Sequence, residues 1–77
     1  MSNLTNNRQI KTLIIDDERL AVEGIKMLLE DYPNIEILGY AACLDEAVKI
    51  IDNEMPDLIF LDIQLQGETG FDLFTRI

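Results

Sequence analysis

Histidine is absent from this chain, and cysteine occurs once, as Cys43. Without histidine there is no Ser-His or Cys-His catalysis and no histidine-ligated zinc. A single cysteine cannot close an internal disulfide, which suits a reducing cytoplasm. Basic side chains are also scarce: six Lys and Arg stand against fifteen Asp and Glu, for a net charge of −9. An excess of that sign repels nucleic-acid phosphates and anionic membranes, so this segment is not expected to bind either directly. A divalent cation or a basic protein surface is the expected partner chemistry. No apolar run approaches the roughly 20 residues a membrane span needs. The polar first eleven residues lack the apolar stretch of a secretory signal.

What is present is a globular balance. Of 77 residues, 48% are hydrophobic and 27% charged, which argues against intrinsic disorder. The length is short for a domain, since domains usually run to about 100–150 residues. At this size a chain buries only about 60% of its unfolded surface, so the core is thin.

Residues 1–9 are rich in Asn, Ser and Thr without periodicity and are expected to form a disordered leader. Residues 10–15 (IKTLII) form a short β-branched run ending at Asp16-Asp17-Glu18, which predicts a buried strand. Residues 19–30 then carry Leu20, Val22, Ile25, Met27, Leu28 and Leu29 at helical spacing, with acidic residues expected in the first turn. Tyr32-Pro33-Asn34 ends that helix, because proline pushes its predecessor out of the helical region. Gly24 inside it costs about 1 kcal/mol relative to alanine, a cost that close packing on the sheet would explain.

Residues 35–40 (IEILGY) predict a second strand, and residues 44–53 a second amphipathic helix through Leu44, Ala47, Val48, Ile50 and Ile51. After a turn containing Pro56, residues 58–61 (LIFL) predict a third strand that stops at Asp62. A loop over residues 63–69 precedes a third helix opening at Gly70-Phe71. Cys43, Tyr32, Tyr40, Met27 and Met55 are expected in ordinary packing or turn roles.

Strands that are apolar on both faces and alternate with helices indicate an α/β fold with a parallel sheet covered on both sides. With strand 1 central in a 2-1-3 order, right-handed crossovers put the two helices on opposite faces and leave strand 3 with a free edge. An uncharged edge such as LIFL is rarely left open in a finished protein, so the chain is expected to be part of a larger fold or to self-associate.

In such sheets ligands bind beyond the carboxyl ends of the strands, where the strand order reverses. Asp16 and Asp17 end strand 1 and Asp62 ends strand 3, and adjacent strands lie about 4.8 Å apart. The three carboxylates are therefore expected in one pocket, where a proton or a cation must offset their repulsion. An oxygen-only cluster with few protein ligands suits Mg²⁺. Glu18 sits close enough in sequence to tune that pocket, although a solvated first-turn role is the plainer expectation.

The chain resembles the receiver domain of bacterial two-component response regulators, on LIIDDE at 13–18, PDLIFLDI at 56–63, and Gly70 eight positions after Asp62. The stretch LDIQLQGETGFDL at 61–73 is most similar to the LytTR subgroup, whose receivers precede a DNA-binding domain. The resemblance covers residues 10–77 and implies a flavodoxin-like fold of five βα units, of which the fourth and fifth are not in this sequence. It implies that Asp62 is the phosphoacceptor, taking a phosphoryl group from the phosphohistidine of a sensor histidine kinase. It further implies that Asp17 ligates Mg²⁺ directly, that Asp16 assists, and that Asp62 and the backbone carbonyl of Gln64 complete the ligand set. The domain would then be a signalling switch and not a conventional enzyme.

Two positions depart from related patterns. Receivers usually carry proline four positions after the phosphoacceptor, where this chain has Gln66. Haloacid-dehalogenase-type phosphatases place a second Asp two positions after the nucleophile, where this chain has Gln64, which weakens that rival. A further alternative is a non-switching receiver fragment that acts as a self-associating interaction module.

Overall fold

The computed structural model describes residues 8–62, 64–65 and 68–76. Three parallel strands form one sheet: β1 (Ile10–Ile15) at the centre, β2 (Ile35–Ala41) on one side and β3 (Leu58–Leu61) on the other. The helices α1 (Arg19–Leu29) and α2 (Leu44–Glu54) alternate with them. This is the expected 2-1-3 flavodoxin-like order. Right-handed crossovers, the rule for parallel strands, would send the two helices to opposite faces of this sheet.

The centre of the sheet is also the centre of the core. Leu13, Ile14 and Ile15 have no solvent exposure. Side chains alternate along a strand, and Leu13 and Ile15 share one cluster with Ala41, Leu44, Ala47 and Leu73. That cluster joins β1 and β2 to α2. Thr12 is fully buried as well, and its hydroxyl donates to the Ile10 carbonyl at 3.1 Å, so no polar atom is stranded there.

The pairing of β1 with β2 is interrupted. Thr12 faces Ile37 but Leu13 faces Gly39, which leaves Leu38 as an extra residue in β2. Gly39 has φ of 157°, a conformation that side-chain-bearing residues rarely adopt. The bulge occupies an edge strand, where such irregularity discourages pairing with other chains.

Several local expectations are corrected. No acidic residue lies in the first turn of α1; Asp16, Asp17 and Glu18 precede the helix, with Glu18 at its N-cap. Only Val22 of α1 is buried, whereas Leu20, Met27 and Leu28 are exposed, because they lie on the side of the helix away from the sheet. Gly24 meets nothing within 4 Å, so close packing does not account for it. Acidic first-turn residues do occur in α2, as Asp45 and Glu46, and Glu46 Oε1 accepts the Ala42 N–H at 2.9 Å. Cys43 is the N-cap of that helix and half-buried. Met55 takes the left-handed conformation that closes α2, with φ of 50°.

Part of the expected loop after β3 is a small antiparallel hairpin. Strands β4 (Gln64–Leu65) and β5 (Glu68–Thr69) pair Gln64 with Thr69 and Leu65 with Glu68. Two residues separate them in sequence, the commonest hairpin spacing. The helix expected from Gly70 is a 3-10 helix, Gly70–Thr75, in which Thr75 Oγ1 donates to the Asp72 carbonyl at 2.8 Å. Of the expected leader, residues 1–7 lie outside the described residues, as do Ile63, Gln66, Gly67 and Ile77. Among the described residues no helix is long and apolar enough to cross a membrane.

Candidate functional site

The carboxyl ends of β1 and β3 lie side by side because the two strands run parallel in register, Ile15 beside Leu61. One hydrogen bond extends that register past the strand ends: the Asp62 N–H donates to the Ile15 carbonyl at 2.9 Å. On the other flank the Asp16 N–H donates to the Ala41 carbonyl at 2.9 Å. The backbones of Asp16 and Asp62 are thus both pinned to the sheet while their side chains project beyond it.

Carboxylate oxygens of Asp16, Asp17 and Asp62 lie within 4.8 Å of one another. Asp16 and Asp62 are half-buried and Asp17 is exposed, so the cluster has a half-buried floor and an open mouth. The floor is a cleft of about 170 Å³ lined by Ile15, Asp16, Ile25, Phe60, Leu61 and Asp62. The turn leading into α1 is held by Asp16 itself, whose Oδ1 accepts the Glu18 N–H at 2.9 Å. That bond fixes the Asp16 side chain and the path of the chain through Asp17 together.

Three like charges this close repel one another. The donor set is oxygen only, carries a formal charge of −3, and is partly open to water. These properties fit a hard divalent cation that keeps several waters. The same set places the Asp62 carboxyl group at the rim of a cleft reachable from solvent.

The sequence-expected acids are therefore brought together as a group. Gln64 follows in β4, paired with Thr69, and Glu18 turns its backbone N–H toward Asp16 as the α1 N-cap. The position of Gln66 lies outside the described residues. Sequence reasoning missed a second polar contact: Arg76 donates from a guanidinium nitrogen to Asp45 Oδ1. The partners are 31 positions apart and neither belongs to a motif, so no local signal marks them. The Arg76 hydrogen bond and charge, helped by Lys49, hold the Asp45 carboxyl below its ordinary value.

Residues 12–77 match the family model described as response regulator receiver domain. The sensory transduction protein LytT of Bacillus cereus is 42% identical over 64 residues, which cover 83% of this chain and 26% of that protein. The transcriptional regulatory protein BtsR of Escherichia coli is 38% identical over 64 residues, covering 83% of this chain and 27% of that one. The chain thus spans about a quarter of the length of these curated relatives. Among solved structures, a LuxR-family two-component response regulator from Aurantimonas sp. is similar at a TM-score of 0.82 and 26% identity, over 90% of this chain and 49% of that one. The response regulator domain of Thermotoga maritima CheB is similar at a TM-score of 0.79 and 27% identity, over 86% and 49% respectively.

Proposed function

The chain belongs to the response regulator receiver domain family, and from that membership we propose that it is a phosphoacceptor module in which Asp62 takes a phosphoryl group from a sensor histidine kinase. In this reading a carboxylate oxygen of Asp62 attacks phosphorus, the P–N bond of the donor phosphohistidine breaks with its electron pair returning to the ring nitrogen, and the ring, its other nitrogen already carrying a proton, leaves as neutral imidazole. A carboxylate nucleophile needs no partner base. Phosphoryl transfer depends on positioning and charge neutralisation more than on covalent machinery.

The observation that carries the reading is the convergence of Asp16, Asp17 and Asp62 within 4.8 Å at the ends of β1 and β3. Asp17, Asp16 and Asp62 would hold Mg²⁺, with the backbone carbonyl of Gln64 as the remaining protein ligand. When bound, the ion supplies neutralisation of the charge that builds on the transferring group. Asp16 orients the cluster through its bond to the Glu18 N–H. The backbone N–H of Asp62 bonds to the Ile15 carbonyl and ties the residue to the end of the sheet.

We take residues 10–77 as one receiver unit and residues 1–9 as a leader. Modification of Asp62 would shift an equilibrium between two conformations and so act on an output domain, a DNA-binding one in proteins of the LytTR type. The net charge of −9 fits a domain that does not itself touch nucleic acid or membrane, and the lone Cys43 fits the cytoplasm.

The test is the intact mass of the chain after incubation with acetyl phosphate and Mg²⁺. One phosphoryl adduct, absent with EDTA and absent in Asp62→Ala, is the expected result. An adduct that persists in Asp62→Ala overturns the assignment.

A second reading rests on the place of β3 at the rim of the sheet. Its strand LIFL is uncharged, Leu58 is 37% exposed, and the outer side of α1 presents Leu20 and Leu28. A second copy of the chain would cover such a surface by strand or helix pairing. Light scattering reads this directly. A monodisperse monomer whose β3 amides resist hydrogen exchange would sink it.

A further inference from the structure

We propose that Asp45 and Arg76 form an ionic latch that holds the 3-10 helix Gly70–Thr75 docked on α2 and so keeps Leu73 in the core beside Ile15. This inference does not depend on phosphoryl transfer or on a bound cation.

The segment needs such a hold. A 3-10 helix has poor hydrogen-bond geometry and is rarely stable beyond three or four residues, so a six-residue stretch relies on tertiary contacts. Two anchors are present. Leu73 is 1% exposed and belongs to the cluster of Leu13, Ile15, Ala41, Leu44 and Ala47. Arg76, three positions on, donates to Asp45 in the first turn of α2. The two anchors form one unit, because the Arg76 N–H donates to the Leu73 carbonyl at 3.0 Å. A guanidinium held in place therefore holds the turn that carries Leu73.

The far end of the pair is also well placed. Asp45 lies at a helix N-terminus, where the dipole favours negative charge, and Lys49 adds a second positive charge one turn further along α2. Glu46, its neighbour, is already committed to the Ala42 N–H. Asp45 is thus the first-turn acid of α2 that is engaged with the segment beyond the hairpin.

The position of the latch gives it a consequence. Ile15 shares the cluster with Leu73, immediately precedes Asp16, and accepts the Asp62 N–H through its carbonyl. Opening the latch lets Leu73 leave a closely packed site next to the residue on which both acidic ends of the sheet depend. The 3-10 helix Gly70–Thr75 then opens as a local unit, ahead of the sheet.

Native-state hydrogen exchange on the full chain tests this at the Arg76 amide, with the amide of Ile14 reporting global unfolding. The neutral variants Arg76→Gln and Asp45→Asn should each speed exchange at Arg76 about two- to fivefold, the range of a surface ion pair, with Ile14 unchanged. The double variant should exchange no faster than either single one, since both remove the same contact. Lys49→Gln, which removes charge without the hydrogen bond, should have a smaller effect. Unchanged exchange in both single variants overturns the latch. So does full additivity in the double variant, or an effect of Lys49→Gln equal to that of Arg76→Gln.

Discussion

The Asp62 N–H donates to the Ile15 carbonyl at 2.9 Å, and this bond carries the β1–β3 register one residue beyond the last paired position, Ile15 with Leu61. Asp16 leaves β1 at the same level, so two acids 46 positions apart in sequence end up as neighbours. The closeness of the cluster is a property of the strands' ends.

Asp17 is the exposed member of the cluster, with few packing obligations. Asp17→Ala should lower Mg²⁺ affinity at least about tenfold, because ligand charge count sets the affinity of oxygen sites. Titration calorimetry against the parent chain reads the change. Equal affinities in the two proteins would move the cation elsewhere.

Arg76 holds the Asp45 carboxyl below its ordinary value by hydrogen bond and charge. A group whose pKa is depressed on folding stabilises the fold above its unfolded value, and that contribution is lost as pH falls through the folded value. The Asp45–Arg76 contact should therefore persist through pH 3.8 and weaken only at more acid pH. Carbon-13 carboxyl titration of Asp45 should move back up toward the ordinary value in Arg76→Gln. An identical titration curve in that variant would remove Arg76 as the cause.

Two glycines should respond oppositely to alanine. Gly39 has φ of 157° at the β2 bulge, so Gly39→Ala should destabilise by about 1–3 kcal/mol through backbone strain alone. Gly24 lies inside α1 with nothing within 4 Å of an added Cβ, so Gly24→Ala should stabilise by about 0.4–1 kcal/mol. Urea midpoints that shift in the same direction for both would contradict this contrast.

The two sides of α1 should separate in the same way. Leu20 is 81% exposed and Leu28 71%, whereas Val22 is 1% exposed. Leu20→Ser and Leu28→Ser should change stability by about 0.5 kcal/mol or less, and Val22→Ala should cost roughly 1–3 kcal/mol. A loss above 1 kcal/mol in either serine variant at low protein concentration would mean that the outer side is covered in solution.

Hydrophobic pattern by itself determined the βαβαβ order, the strand β1 over Ile10–Ile15, the strand β3 over Leu58–Leu61, and the acids that terminate them. These were legible because burial on both faces of a parallel strand imposes an unbroken apolar run, and the run must stop where water and ligand begin. Asp16, Asp17 and Asp62 were legible for the same reason, since parallel pairing turns two run-ends into one site. Tertiary structure decided what periodicity cannot encode. An apolar residue at helical spacing is buried only if the helix presents that side to the sheet, so Val22 is covered and Leu20, Met27 and Leu28 are not. The bulge at Leu38 and Gly39 depends on the partner strand, because register belongs to a pair and not to either sequence. The contact between Asp45 and Arg76 joins residues 31 positions apart, and a long-range pairing leaves no trace in the residues beside either partner.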